Sequence, residues 1–356
     1  MRNMICRRSL RCSLIALGCC LALRIMVGVP PAASQEAEPG LETDQEYQRM
    51  LDEHPEYKAQ FEKIDSLLAE DQDLEDSYLA YQESLMVDRT FAAEESTYFE
   101  ALEEDTVLAR RLAEFEATAA EDSGAVAEFA TMDSLFAVDP ELAERVEELE
   151  SAAAEDPDLI DNYGEAMAYL EADPEEAEGF FGDEAGPTYH GEDPRMIVYV
   201  GYLAAHPRLY RAHWNLYRYL RSHRAVARVV YGHWKWCVTR RPLWEASWRY
   251  RLRAARHPGI HRVAWQRRIY LGGRPQLLRH VWHHRLLVAG RPGMRPVLAR
   301  YSIFAIRHPE HARTVVKHRH WVRKHHPQPK AKPRPRPEPK PKPKPKPPPE
   351  PKPKRH

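Results

Sequence analysis

Histidines are the residues of this chain whose type and spacing best suit a metal. His280 and His284 are four apart, which places two imidazoles on one helix face in a spacing that zinc sites use. His283, His318, His320, His325 and His326 lie close by in sequence. No Asp or Glu accompanies the pair, and Arg279 and Arg285 flank it, which disfavours a dication. A basic surface that responds to pH is the commoner meaning of such a cluster, because imidazole titrates near neutrality. The sequence therefore predicts no specific metal and no cofactor, with a metal- or haem-binding protein as the competing reading.

Catalytic chemistry has no foothold in the sequence. There is no Gly-rich phosphate loop, nucleophile elbow or HExxH motif, and the carboxylates are too numerous for one pair to stand out. A calcium loop of the Asp-x-Asp-x-Asp-Gly type is also missing. An enzyme is not expected, nor is a small-molecule substrate.

Polyanion binding is better supported. Aromatic residues alternate with cations in His213-Trp214, Tyr217-Arg218-Tyr219, His233-Trp234-Lys235-Trp236 and Trp248-Arg249-Tyr250-Arg251. Guanidinium groups pair with phosphate or carboxylate, and Trp or Tyr stacks or sits at an interface. Trp244, Trp248 and Trp282 fall near an apolar face and are expected to pack inside. Residues 327–356 alternate Pro with Lys or Arg, as in Lys340, Lys342, Lys344 and Lys346. Such a segment favours polyproline II, with a reach on the order of 90 Å at about 3.1 Å per residue. It is similar to the Pro-Lys spacer of TonB-type proteins and reads as a polycationic tether.

The elements that must position these groups are set by a 17-residue repeat. Pro55, Pro140, Pro157 and Pro174 fall on one grid of that period; Pro207, Pro258, Pro275, Pro292 and Pro309 fall on another, one residue out of step. The slip lies between 174 and 206, where Gly179, Gly182, Gly186-Pro187 and Gly191 collect. Within a unit, apolar residues recur at helical steps, as in Leu142, Val146, Leu149 and Ala153, or Leu74, Tyr78, Tyr81 and Leu85. Asp before Pro supplies an N-cap acceptor followed by a residue whose fixed φ suits the first helical position. Asp139, Asp156 and Asp173 are of this kind, and Asp71, Asp88, Asp105 and Asp122 hold the cap place without the Pro. Helices this short need neighbours to cover their apolar stripe. The expected fold is all-α: tandem short helices stacked as a solenoid or curled array, with a Pro/Lys-rich tail lacking structure.

The net charge of −1 conceals a division. Between Ser34 and Pro194 there are 49 acidic and 7 basic residues; from Arg195 onward there are 4 and 40. Where the first half has Asp at the cap, the second has His206, His223, Arg240, His257, Arg274, Arg291 and His308. A cation there opposes the helix macrodipole by a few tenths to about 1 kcal/mol, so helix stability does not explain the exchange. Two rails are expected, one of carboxylates and one of His/Arg, meeting within a chain or between chains; a solvated edge following composition is the alternative. The basic rail and the tail lysines are the candidate polyanion-binding residues. Expected partners are an anionic envelope polymer or lipid surface, or the chain's own acidic half. Nucleic acid ranks lower, and pairing between chains would give homo-oligomers.

The units Glu53-His54-Pro55-Glu56-Tyr57, Val138-Asp139-Pro140-Glu141-Leu142 and Arg307-His308-Pro309-Glu310-His311 resemble the repeated HPE-L helices of uncharacterised exported bacterial proteins, over roughly Leu51 to His325. That resemblance implies export and helical repeats, and no activity. At the N-terminus Arg2, Arg7, Arg8 and Arg11 precede an apolar run from Ser13 to Leu23 and then Pro30-Pro31-Ala32-Ala33-Ser34, the order of a cleaved export signal. Arg7-Arg8-Ser9-Leu10 is similar to a twin-arginine signal, and Ala16-Leu17-Gly18-Cys19 to a lipoprotein box; an N-terminal membrane anchor is the alternative. Four of the five cysteines lie in this segment, leaving Cys237 as a buried thiol or an interchain cross-link. The expected organisation is a signal over 1–34, an acidic leader over 35–50, acidic repeats over 51–178, a junction over 179–194, basic repeats over 195–326 and the tail over 327–356.

Overall fold

The computed structural model describes residues 39–325, apart from 174–176, 178, 181–185 and 292. The signal segment, the tail lysines Lys340, Lys342, Lys344 and Lys346, and Pro174 and Pro292 lie outside the described residues. Sixteen α-helices, and no strand, are found among the described residues. In the acidic half these are α1 (Pro39–Glu53), α2 (Pro55–Glu70), α3 (Gln72–Val87), α4 (Arg89–Glu104), α5 (Thr106–Ala120), α6 (Ala125–Val138), α7 (Pro140–Ala153) and α8 (Leu159–Ala172). The basic half contributes α9 (Pro194–Ala205), α10 (Pro207–Ser222), α11 (Arg224–Val238), α12 (Arg241–Ala255), α13 (Pro258–Gly272), α14 (Pro275–Ala289), α15 (Arg295–Arg307) and α16 (Pro309–His325). No described helix is long and apolar enough to cross a membrane.

Most helix ends are made by a single residue. Asp88, with φ −106° and ψ 93°, donates its N–H to Ser84 O at the end of α3 and caps α4 by accepting from Phe91 N at 3.0 Å. Asp71, Asp105 and Asp139 do the same work for α3, α5 and α7. Where Pro follows, its ring disfavours the α region for the preceding residue, which favours a helix break there. Three expected cap positions differ; past Arg291 the helix begins only at Arg295, with Met294 at the cap. At Asp122 and Asp156 the chain inserts a turn in which the aspartate accepts from Gly124 N or Asp158 N at 2.8 Å, and the helix begins at Ala125 or Leu159. The cations of the basic half make no N-cap bond at His206, His223, Arg240, His257 or Arg274; instead His206, His223, Arg240 and Arg274 donate to the carbonyl four residues back, at the end of the preceding helix.

The helical steps read from sequence are the buried ones, with Leu142, Val146, Leu149 and Ala153 in α7 and Leu74, Tyr78, Tyr81 and Leu85 in α3 all in the core. What they pack against is the opposite half. α7 lies on α10 and α12, α6 on α11 and α13, α5 on α12 and α14, α4 on α13 and α15, and α3 on α14 and α16. Each step forward along the acidic half is a step backward along the basic half, so the chain is folded back on itself about 179–194. Gly186 takes φ 150° in that junction, a backbone region that side chains disfavour. Both halves contribute to each of three apolar cores, among them a cluster joining Phe61, Ile64 and Tyr78 to Tyr301, Phe304 and Val315. α6 and α13 approach so closely that a Cβ at Gly272 would fall 1.9 Å from the Asp133 carbonyl oxygen, which only glycine permits.

Candidate functional site

The two cap rails face each other in register. Moving 17 residues up the acidic half from His54 and 17 down the basic half from His308 brings each cap to its counterpart in turn. Asp71 meets Arg291, and Asp122 meets Arg240, each in a short salt bridge. Asp105 meets His257 at 3.5 Å and Arg253 at 2.8 Å, and Asp88 meets Arg274 at 3.7 Å. Tyrosine stands in at three positions, with Tyr270 donating to Asp88 (2.6 Å), Tyr219 to Asp139 (2.5 Å) and Tyr202 to Asp156 (2.8 Å).

The aspartates serve both halves at once. Asp71, Asp105, Asp122 and Asp139 each turn Oδ1 to their own helix start and Oδ2 to the basic half. The guanidinium of Arg240 and the N–H of Gly124 hold Asp122 below the usual carboxylate range. This explains why cations occupy positions where they make no N-cap bond: they close the end of the preceding helix and meet the carboxylate of the facing one. Four of these cations also rest on the side chain four residues earlier. His206 stacks on Tyr202 (4.0 Å) and His223 on Tyr219 (4.1 Å), while Arg240 lies over Trp236 (4.2 Å) and Arg274 over Tyr270 (3.6 Å). Tyr219 and Trp236, two of the interleaved aromatics, thus brace the rail. Trp244, Trp248 and Trp265 are core, and Trp282 is partly buried against it.

A second ladder, not read from the sequence, runs through the interior. Glu116, Asp133 and Glu150, again 17 apart, meet Arg285 at 2.5 Å, Arg268 at 2.9 Å and Arg251 at 2.5 Å. Glu116 also binds Arg295, and Glu150 receives His261 at 3.4 Å. Burial alone would raise Glu150, but Arg251, His261 and Arg268 bring it down to about 2. Glu95, which is 1% exposed, pairs with Arg267 and accepts from Tyr81 at 2.7 Å. Glu171 has indoles instead of a guanidinium, accepting from Trp244 Nε1 at 2.8 Å and Trp248 Nε1 at 3.4 Å; burial outweighs these bonds and raises it to about 7. The signal was present, since Glu116, Asp133 and Glu150 each directly follow a core residue (Phe115, Met132, Leu149) and Arg251, Arg268 and Arg285 recur at the same period. Net charge per half hides such a pattern.

His280 and His284 are not brought together in one environment. His280 is exposed, whereas His284 is buried, stacked on Tyr81 at 4.8 Å with Nδ1 3.2 Å from Ser77 Oγ. Burial, with the nearby charges of Arg285 and His283, lowers His284 to about 3. It is a neutral core residue that tethers α14 to α3. Cys237 is likewise buried, its thiol raised to about 12 by burial and the neighbouring Glu171.

Outside the rails, an open groove of about 680 Å³ lies where the junction meets α9 and α10, lined by Pro187, Tyr210, Arg211, Trp214, Asn215 and Arg218. Arg211 and Arg218 are exposed and Trp214 is half-buried. Compared with family models, curated proteins and solved structures, the chain matches none.

Proposed function

We propose that this is an exported, non-catalytic interaction protein whose oppositely charged halves are each other's first partners and whose outside partner is an anionic envelope polymer. The register of the cap rails carries the reading: carboxylates and cations that would otherwise attract unrelated partners are matched to one another at every step from Asp71–Arg291 to Asp122–Arg240. The same complementarity would let two chains exchange halves, which gives a route to self-association. Cations beyond the rails then determine what binds from outside. In the groove, Arg211 supplies a forked donor for carboxylate or phosphate, Arg218 adds positive charge beside it, and Trp214 supplies a face on which a sugar ring can stack. Lys340, Lys342, Lys344 and Lys346 add sequence-independent attraction.

The test is binding of the full chain to immobilised polygalacturonate and to a neutral polysaccharide across a salt series. Binding to the anionic polymer alone is expected, weakening with salt. The double substitution Arg211→Ser/Arg218→Ser should weaken it about tenfold, which corresponds to about 1.4 kcal/mol. Equal binding to the neutral polymer, or anionic binding untouched when both the groove and the four tail lysines are neutralised, would overturn the reading.

A further inference from the structure

One rung of the rails breaks their rule. At the open end of the fold the facing caps are His54 and His308, imidazole against imidazole, with ring centroids 6.1 Å apart. A third imidazole, His311, stands 4.7 Å from the His54 ring and 5.5 Å from the His308 ring. Glu310 joins them. Its Oε1 is 3.9 Å from His308 Nδ1 and 3.8 Å from His311 Nδ1, and a ligand atom from each of His308, Glu310 and His311 falls within 4.8 Å of the others. His311 Nδ1 is buried without a hydrogen-bond partner.

Two protonated imidazoles facing each other would repel where every other rung attracts. Neutral imidazoles beside one carboxylate are instead a donor set for a borderline-soft dication. Ligand atoms around a tetrahedral zinc ion lie about 3.3 Å apart, given metal–nitrogen bonds of about 2.0 Å. Among His308, Glu310 and His311, closing from separations of up to 4.8 Å needs side-chain movements of up to about 0.8 Å on each side, and the His54 ring, 4.7 Å from that of His311, turns towards them. We infer that His54, His308, His311 and Glu310 form a site for a divalent transition metal of the zinc class, which joins the α1–α2 corner to the α15–α16 corner as salt bridges and tyrosine hydrogen bonds join the other rungs. These are not the histidines that the helical spacing singles out. His280 and His284 share a helix face in sequence but not a site, whereas this set is assembled from loop corners 254 positions apart, His54 and His308.

The experiment titrates Co²⁺ into the full chain and follows the visible d–d absorption, with Zn²⁺ as competitor. One equivalent should bind with a tetrahedral spectrum lacking the thiolate charge-transfer band that the N-terminal cysteines would give. His54→Asn and His311→Asn should each abolish the band, and His280→Asn should leave it unchanged. Because a corner variant can disturb packing, the unaltered chain is also loaded with Cu²⁺ and its nitrogen hyperfine splitting read, three equivalent imidazoles being expected. Retention of wild-type affinity by either corner variant, loss of the band in His280→Asn, or fewer than three coordinating nitrogens would overturn the assignment.

Discussion

Arg267→Met is expected to destabilise the fold by about 3–5 kcal/mol, the cost of leaving a buried carboxylate without its counter-ion. Glu95 is 1% exposed and lies in the layer between α4 and α13, with Arg267 and the Tyr81 hydroxyl as its polar partners. The companion variant decides the mechanism. In Glu95→Gln/Arg267→Met both charges are gone, while the glutamine amide oxygen still accepts from Tyr81, so most of the loss should be recovered. Urea unfolding of the two variants and the parent measures this directly. A double variant as unstable as the single one would mean that Arg267 matters for its packing over Tyr98, 4.8 Å from that ring, and not for its charge.

Acid sensitivity is the second large effect. His284 has a folded-state value of about 3, against about 6.5 in an unfolded chain. Between those limits the unfolded state binds a proton that the folded state refuses, so stability is lost as pH falls below about 6.5, by about 1.4 kcal/mol per pH unit. His213, lowered by burial to about 4, acts with the same sign over most of that range. Glu171 acts in the opposite direction: its folded value of about 7 lies above the ordinary carboxylate value, so its contribution is present at low pH and lost as pH rises towards 7. His284→Gln keeps a polar group for Ser77 and removes one of these protons. Between pH 6.5 and 4.5 the variant should therefore lose about 2.3 kcal/mol less than the parent. Equal slopes in the two proteins would mean that His284 is accessible to protons in the folded state.

Much of this architecture was legible because the repeat writes its boundaries in residues with one physical meaning. Pro disfavours continuing a helix through the residue before it, and the Asp ahead of Pro140 ends one helix and opens the next. The apolar steps in α3 and α7 then fix the buried face. Arg and His at caps were legible as an anomaly, since they oppose the dipole of the helix that follows; the carbonyls ending the helix before and the facing aspartates supply the reason. Which residue faces which was not legible, because register between halves depends on where the chain turns back, and the junction carries no repeat of its own. The same gap concealed the interior ladder. Glu116 or Arg285 looks like a solvated flank of its own helix until the opposite helix covers it with a counter-charge 2.5 Å away. For His280 and His284 helical spacing misled: helix α14 turns one imidazole to solvent and buries the other against Ser77.

The account rests on the two halves forming one body through shared cores and matched charges. A single cut through the chain beside Gly186, at an inserted protease site, followed by velocity sedimentation at low salt and at roughly 1 M salt, tests this most directly. The two fragments are predicted to sediment together with the mass of the uncut chain in both conditions, because salt screens the surface rails but leaves the buried pairs and apolar cores intact. Separation into two folded species at low salt would contradict it, since each half would then bury its own apolar face without the other.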